Sequence, residues 1–202
     1  MKTFKQISVF LVFIFAMNCF SQTTTTTKKE VRKQFPHVTI SPFGGAIFPL
    51  PKILNQNFKP GGHAGLEIGY RFNREVAMFG EFNYYFMASK ITGAPIGSYF
   101  QFSAGPRYHF VHPKLKSSLF FEGGVGAYNF LQKSYVNPSD TTGSVVQQIN
   151  NTKAGLNGGI GASLGLTDML DIMVKSKYHI VFTPNGSSSF VSVGAGFQFR
   201  FR

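Results

Sequence analysis

The chain of 202 residues lacks several features on which common protein classes depend. It has a single cysteine, no tryptophan and only 8 acidic residues, and charged residues make up 14% of the total. One cysteine cannot build an intramolecular disulfide framework, and so few charges exclude a disordered chain. No run of about 18 apolar residues is present, which excludes a membrane-spanning helix.

Phenylalanine, glycine and basic residues are abundant instead. The chain contains 24 Phe and 22 Gly, and its 20 basic residues give a formal net charge of +12. Glycine and aromatic residues are weak helix formers, which excludes a coiled coil. Two all-β classes remain, a soluble β-protein and a transmembrane β-barrel, whose strands are only half apolar.

The N-terminus has the pattern of a secretory signal peptide. Lys2 and Lys5 precede an apolar stretch over 7–17 that is too short to span a bilayer. We predict a signal peptide over 1–21, with cleavage between Ser21 and Gln22. A lipoprotein cut that leaves Cys19 lipidated is the alternative, and the preceding Asn18 disfavours it because a small residue is preferred there.

Residues 22–37 form a basic, threonine-rich segment. Five successive threonines are followed by KKEVRK, and no apolar periodicity is visible. We expect a flexible exported tail, which is either simply solvated or in contact with anionic lipid head groups.

From residue 38 onward apolar and polar residues alternate with a period of two, the pattern of β-strands. In 63–72, for example, every even position is apolar or aromatic and every odd position is polar, charged or glycine. The pattern predicts eight strands in one domain over 38–202. Their expected ranges are 38–48, 63–72, 76–87, 99–110, 118–131, 153–166, 170–182 and 191–201.

Three of these strands, 76–87, 118–131 and 170–182, alternate less regularly, and Pro42 stands in a fourth, the weakest strand at 38–48. Phe79 and Tyr85 fall on the polar side of their strand, whereas Asn129 falls on the apolar side of its strand. Pro42 cannot donate a backbone hydrogen bond, so we expect a bulge or an edge-like start there.

The lengths of the connections indicate the topology. Connections 73–75, 112–116 and 167–169 are short, while 49–62, 90–97 and 133–152 are long, and 184–188 is modestly longer than the short ones. Alternation of short and long connections predicts an all-β fold, an eight-stranded antiparallel up-and-down transmembrane β-barrel with turns at one end and loops at the other.

The polar face is expected to line the lumen. Facing lipid, each of four basic residues would cost about 2–4 kcal/mol near the middle of the membrane; they are Arg71, Arg107, Lys175 and Lys177. An eight-stranded barrel has room inside for side chains and little else, so we expect ion pairs that close it. The predicted lumen polar network is Glu67, Arg71, Glu81, Arg107, Glu122, Lys175 and Arg200.

A soluble lipocalin-like barrel, with the apolar face turned inward around a ligand, is the rival fold. It would have a glycine-rich exterior with only scattered charge, and its small lumen would have to hold most of the aromatic side chains. The alternation therefore favours the transmembrane barrel.

Three segments resemble a known family. FSAGPRYHF (102–110), GLEIGYRF (65–72) and VGAGFQFRF (193–201) resemble bacterial outer-membrane β-barrels typified by the OmpA transmembrane domain and OmpX, and the pattern extends over 38–202. Members usually end on an aromatic residue, whereas here Arg202 follows Phe201. The leader resembles those of Bacteroidota outer-membrane proteins.

The resemblance implies a protein of the cell outer membrane that contacts lipid and lipopolysaccharide and is inserted by the barrel-assembly machinery. It implies a role carried by the surface loops, in envelope integrity, adhesion or a surface or secretion complex. Lysines of the long loops are expected to meet anionic lipopolysaccharide; they are Lys52, Lys59, Lys90 and Lys133. The dispersed lysines lack any nucleic-acid-binding motif, so no nucleic-acid partner is expected.

No motif predicts a catalytic, cofactor-binding or metal-binding residue. The histidines lack metal-ligand spacing, and no nucleophile-elbow sequence occurs. The alternative is a lipid A-modifying barrel enzyme of the deacylase or acyltransferase class. A deacylase requires Ser, His and a carboxylate at the lipid face, but Ser176 lies on the apolar face of its strand and His179 on the polar face.

Overall fold

The computed structural model describes residues 35–50, 57–111, 117–136, 144–184 and 186–201. The predicted signal peptide, its cleavage site at Ser21 and Gln22, and the predicted tail as far as residue 34 lie outside these residues. Among the described residues, no helix has the length and apolar character needed to cross a bilayer.

Eight strands close into an antiparallel barrel, as the alternation predicted. They follow one another around the barrel in chain order, and the last pairs with the first. A separate two-stranded hairpin, β6–β7, interrupts the series between β5 and β8. The strands are β1 (His37–Pro49), β2 (Gly61–Arg71), β3 (Val76–Met87), β4 (Gly97–Val111), β5 (Ser117–Gln132), β6 (Tyr135–Val136), β7 (Val145–Val146), β8 (Ile149–Gly165), β9 (Leu170–Thr183) and β10 (Gly186–Phe201).

We call the end of the barrel with the connections 72–75 and 166–169 the turn end, and the opposite end the loop end. At the turn end, the Asn73 side chain accepts hydrogen bonds from the backbone N–H groups of Glu75 and Val76, each at 2.8 Å. Asparagine favours such local bonds in turns, which explains the tight reversal between β2 and β3.

Two predicted connections were wrong in detail. The run 133–152 contains β6, β7 and the start of β8 at Ile149, because its polar residues hide the alternation. The connection predicted over 184–188 is a tight turn, since β9 and β10 pair up to Thr183 and Gly186. Gly186 has a φ of +133°, a conformation that glycine adopts without steric cost.

Proline interrupts the hydrogen-bonded ladder of the barrel at two places without shifting the register. β1 and β10 pair at Ile40 and Phe199 and again at Phe43 and Gly196, so the bulge expected at Pro42 does not form. Pro106 interrupts the pairing of β4 with β5 in the same way. The missing proline N–H accounts for both gaps.

The wall of the barrel has the inverse polarity of a soluble protein. Large apolar side chains are exposed on the outside, with Phe102 63%, Ile160 59% and Leu119 57% exposed. On the inside, Glu67 and His179 are 0% exposed and Lys177 is 2% exposed. The rival lipocalin-like arrangement, with the apolar face inward, is therefore wrong.

Candidate functional site

The interior of the barrel consists of three layers of side chains. An aromatic plug fills the loop end, a central ion-pair network fills the middle, and a turn-end cluster of Arg71, Asp171 and Arg200 fills the opposite end. The central ion-pair network consists of Glu67, Glu81, Arg107, Glu122, Lys175 and Lys177. The aromatic plug consists of Ile47, Phe58, Tyr85, Met87, Tyr99, Tyr128, Val181 and Phe190.

Arg107 connects two glutamates of the central ion-pair network. Its Nη2 lies 2.6 Å from Glu67 Oε2, and its Nε donates to Glu122 Oε2 at 2.6 Å. All three side chains are at most 3% exposed. Charge-assisted bonds of this kind are among the stronger protein hydrogen bonds.

Two lysines of β9 complete the network. Lys175 Nζ lies 2.8 Å from Glu67 Oε2 and also bonds Glu81. Lys177 Nζ lies 2.9 Å from Glu81 Oε2 and 2.8 Å from Glu122 Oε1. Each carboxylate therefore contacts two cations and each cation contacts two carboxylates, so the six side chains form a closed ring of alternating charge.

The register of β2 and β3 places two glutamates side by side, and lysines from β9, on the other side of the barrel, neutralise them. Glu67 of β2 and Glu81 of β3 are directly opposite each other in the sheet, and like charges in that position destabilise a strand pair. Lys175 bonds both carboxylates, which offsets their repulsion. Arg107 and Glu122, by contrast, are opposite each other on adjacent strands and attract directly.

Aromatic rings contact the cations of the network. Lys175 Nζ lies 3.6 Å from the ring centre of Phe43, Lys177 Nζ lies 4.2 Å from that of Phe79, and the Arg107 guanidinium carbon lies 4.4 Å from that of Phe120. Cation–π attraction adds to the ion pairs in such a desolvated place. Phe79, a residue that broke the alternation of β3, therefore has a contact that accounts for its inward position.

Inward-facing glycines make room for these long side chains. A Cβ at Gly159 would lie 2.7 Å from Lys177 Cγ, and a Cβ at Gly161 would lie 2.3 Å from the ring of Phe120. Both distances are shorter than atomic packing allows, so β8 is glycine-rich where β9 and β5 project into the lumen.

Polar side chains connect the ring to the aromatic plug. The Tyr85 hydroxyl donates to Gln101 Oε1 at 2.6 Å, and Asn83 Nδ2 donates to Glu81 Oε1 at 2.6 Å and to Gln101 Oε1 at 3.1 Å. His179 stacks on Phe190 with ring centres 4.4 Å apart. Its ring nitrogens lie 3.0 Å from the Tyr128 hydroxyl and 2.9 Å from the Ser192 hydroxyl.

Phe58 is the one residue of the aromatic plug that lies outside the barrel strands. Its ring packs edge-on against Phe130 at 5.9 Å. Two backbone hydrogen bonds hold the segment around it, from Lys59 N to the Ala88 oxygen at 2.9 Å and from Lys90 N to the Asn57 oxygen at 2.8 Å. Residues 57–59, which precede β2, are thereby held against the connection between β3 and β4.

Arg71 and Arg200 are buried and lie in the turn-end cluster rather than in the ring. Arg200 pairs with Asp171, with Nε 3.0 Å from Oδ2. Arg71 donates to the backbone oxygens of Asn73 and Arg74. Arg71 follows Glu67 by four residues on β2, which places it about 13 Å nearer the turn end, so it makes no ion pair with the glutamates.

The sequence-based list omitted Lys177 and Asp171. Both stand at odd positions of β9, as Lys175 does, and odd positions of this strand point inward. That shared position in the alternation is the sequence signal that could have identified them. Their partners come from β3, β5 and β10, and these long-range pairings are not visible in the sequence of β9.

Comparison with solved structures identifies the fold. Neisserial surface protein A aligns with a TM-score of 0.60 and 14% identity, over 82% of this chain and 97% of that chain. The chain has the fold of the eight-stranded outer-membrane β-barrels. No family model and no curated protein matches the sequence, and identities this low establish similarity of fold alone.

Two further outer-membrane barrels from Pseudomonas aeruginosa agree with this assignment. The N-terminal β-barrel domain of OprF aligns with a TM-score of 0.52 and 17% identity, over 82% of this chain and 97% of that chain. OprG aligns with a TM-score of 0.54 and 11% identity, over 84% of this chain and 99% of that chain. The predicted resemblance to small outer-membrane barrels is confirmed at the level of fold.

In this outer-membrane-type barrel the three glutamates of the ring could be taken for a cation site. Their carboxylate oxygens lie within 4.8 Å of one another. However, Arg107, Lys175 and Lys177 balance the three negative charges. The ring is therefore a charge-balanced cluster, in which all three carboxylates are already paired with cations.

The outer wall of the barrel does not bring Ser176 and His179 together. Ser176 lies on the outward face of β9, whereas His179 is fully buried inside and bonded to Tyr128 and Ser192. The other histidines in the described part of the chain, His37, His63 and His109, are also buried. None of these four rings is available to a serine at the lipid face.

Proposed function

We propose that the chain is an integral, non-enzymatic protein of the bacterial outer membrane with a closed polar lumen. Its role is structural or binding, exerted through the loop end, in envelope integrity, adhesion or a secretion complex. The observation that carries this proposal is the inverse polarity of the wall, apolar outside and charged within. The fold shared with outer-membrane barrels supports it.

The energetics of the wall favour lipid as its surroundings. Exposed apolar side chains cover the outward face of all eight barrel strands, and each gains free energy when it leaves water, about 25 cal/mol per Å² buried. Apart from Lys153 at the loop end, the charged residues of the barrel strands project inward, where they have partners. A bilayer therefore stabilises this molecule, whereas water would favour its aggregation.

The ring supports the closed state of the lumen. An eight-stranded barrel leaves room inside for side chains only, and here that room holds six charged groups and the aromatic plug. An ion would have to break several buried pairs to pass, and breaking such a pair costs about 3–5 kcal/mol. A porin-like current is not expected.

The two ends of the barrel suit two kinds of contact. Lys59, Lys90, Lys133 and Lys153 lie at the loop end, and none of the described residues there is acidic. Such a basic rim attracts the phosphates of lipopolysaccharide. The last strand ends with outward-facing Phe197, Phe199 and Phe201, an aromatic ending of the kind that suits the barrel-assembly machinery.

Fractionation and conductance together test the proposal. The protein should be recovered in the outer-membrane fraction and should give no stable single-channel current after reconstitution in planar bilayers. Recovery as a soluble periplasmic protein would overturn the location. A large, stable current from the wild type would overturn the closed lumen.

A further inference from the structure

A small polar cavity lies inside the barrel, between the central ion-pair network and the turn-end cluster. Gly69 stands on the inward face of β2, between Glu67 of the network and Arg71 of the cluster. A Cβ at Gly69 would lie 2.4 Å from Thr39 Oγ1, so only glycine leaves room at this place. The polar side chains around the cavity are those of Thr39, Arg71, Arg107, His109 and Gln198, and no acidic residue is among the described residues that line it.

The cavity holds one small group. About 10 Å³ of it is open to the centre of a water-sized molecule, and a single water needs roughly 10–15 Å³ on the same measure. A phosphate or an organic acid is too large for this space. A water fits, and so does a monatomic ion after small adjustments of the surrounding side chains.

The interior of the barrel, over the residues that the structure describes, contains more positive than negative charge. Five buried basic side chains face only four buried carboxylates. The carboxylates belong to Glu67, Glu81, Glu122 and Asp171, and the cations to Arg71, Arg107, Lys175, Lys177 and Arg200. The buried histidines can only add to the excess. Because a buried charge is costly unless a partner compensates it, this interior is one anion short of balance.

Arg71 is the cation that has no carboxylate partner among the described residues, whereas the other four each bond a carboxylate. Its Nε and Nη2 donate to the backbone oxygens of Asn73 and Arg74. Its guanidinium carbon lies 5.5 Å from the ring centre of Phe35. All of these partners are neutral, so the positive charge of Arg71 is left uncompensated beside the cavity.

Several hydrogen-bond donors at the cavity have no acceptor in the part of the chain that the structure describes. The bonds of both guanidinium groups use Nε and Nη2, which leaves Nη1 of Arg71 and Nη1 of Arg107 without a partner. The side chains of Thr39 and Gln198 make no hydrogen bond either, although each is only 5% exposed. Buried polar groups normally have partners, so this set suits a ligand that accepts several hydrogen bonds.

We propose that the cavity binds a single chloride ion between Arg71 and Arg107. An anion at this position supplies the missing negative charge and accepts the hydrogen bonds that the protein leaves unmade. A water would supply no charge, and the two guanidinium groups exclude a cation. The size of the cavity selects a monatomic anion over phosphate or carboxylate ligands.

The dependence of stability on chloride tests the site in the full-length mature protein, folded in phospholipid vesicles. Urea unfolding is measured at constant ionic strength while sodium chloride replaces sodium gluconate, whose anion is too large for the cavity. One ion that binds only the folded state stabilises it by mass action. Above the dissociation constant, the equilibrium constant of unfolding should therefore fall tenfold for each tenfold rise in chloride concentration.

Thr39→Asp and Thr39→Asn are a matched pair of variants. The aspartate brings a carboxylate of the protein to the cavity, opposite Arg200 in the β1–β10 register, and the dependence on chloride should disappear. The asparagine is similar in shape but uncharged, so a dependence corresponding to one ion should remain, at a shifted chloride concentration. Arg71→Met removes the excess charge and should also abolish the dependence, whereas Arg74→Gln at the exposed turn should leave it unchanged.

Bromide locates the ion directly in the wild type and does not depend on any variant. Crystals grown with bromide should show an anomalous peak inside the cavity, within hydrogen-bonding reach of both arginines. Equal stability in chloride and gluconate, or a cavity that holds only water in bromide, would overturn the anion site. A response to chloride that persists in both Thr39→Asp and Arg71→Met would overturn it as well, because the ion would then bind elsewhere. Each of these results leaves the outer-membrane assignment intact.

Discussion

Lys175 of β9 and Glu67 of β2 form an ion pair across the barrel, with Nζ 2.8 Å from Oε2. The two residues are 108 positions apart in the chain. Lys175 also bonds Glu81, so it holds together two glutamates that face each other in the sheet. This contact joins strands from opposite sides of the barrel, and its consequences can be measured.

Truncating one cation of the ring should strongly destabilise the barrel. Arg107→Ala leaves Glu67 and Glu122 each short of a partner in a buried place, and the usual cost is about 3–5 kcal/mol. Lys59→Ala, at an exposed loop-end site, should change the free energy of unfolding by about 0.5 kcal/mol or less. Urea unfolding of both variants in lipid vesicles measures the difference, and equal effects would show that the ring is not desolvated.

The Asp171–Arg200 pair should behave as a coupled unit at the turn end. Arg200→Met strands the buried Asp171 carboxylate, and Asp171→Asn removes the charge that Arg200 bonds. Because either single change leaves one buried charge alone, the double variant should lose clearly less stability than the sum of the two. A double-mutant cycle on unfolding free energies tests this, and strict additivity would contradict the pairing.

The outer face of β8 should respond to arginine according to depth in the bilayer. Ile160 is an exposed residue of the apolar wall, so Ile160→Arg should cost about 2–4 kcal/mol. Thr152 lies on the same face of the same strand, and its hydroxyl accepts a hydrogen bond from Asn129 at an exposed site. We expect this polar position to lie near the membrane boundary, so Thr152→Arg should cost about 0–1 kcal/mol. A similar loss at both positions, measured by unfolding from vesicles, would place the membrane boundary elsewhere.

Protease accessibility should report the orientation of the barrel. On intact cells, trypsin should cut at Lys133, an exposed residue beyond β5 at the loop end. Lys114 and Lys116, in the predicted short connection between β4 and β5, should resist cleavage until the outer membrane is permeabilised. Cleavage at Lys114 or Lys116 in sealed cells, with Lys133 protected, would reverse the orientation.

The sequence by itself determined the class of the fold. A period of two over successive segments fixes which residues share a face, and placing Arg107 or Lys175 against lipid is too costly. Those two facts predict the strands, the inward polar face and the similarity to outer-membrane barrels. Local deviations such as Phe79 and Tyr85 on the polar side were also visible, although the reason for them was not.

Only the tertiary structure decided which charges meet. Alternation assigns a side chain to a face, but the register and the closure of the barrel set its height and its neighbours across the lumen. Glu67 and Arg71 share a face of β2, yet they lie in different layers because four residues separate them along the strand. Lys177 lies in the ring, and Asn129 on the apolar face of β5 donates hydrogen bonds to Asn150 and Thr152 of β8. Both sets of contacts depend on how β9, β5 and β8 are placed against strands distant in the chain.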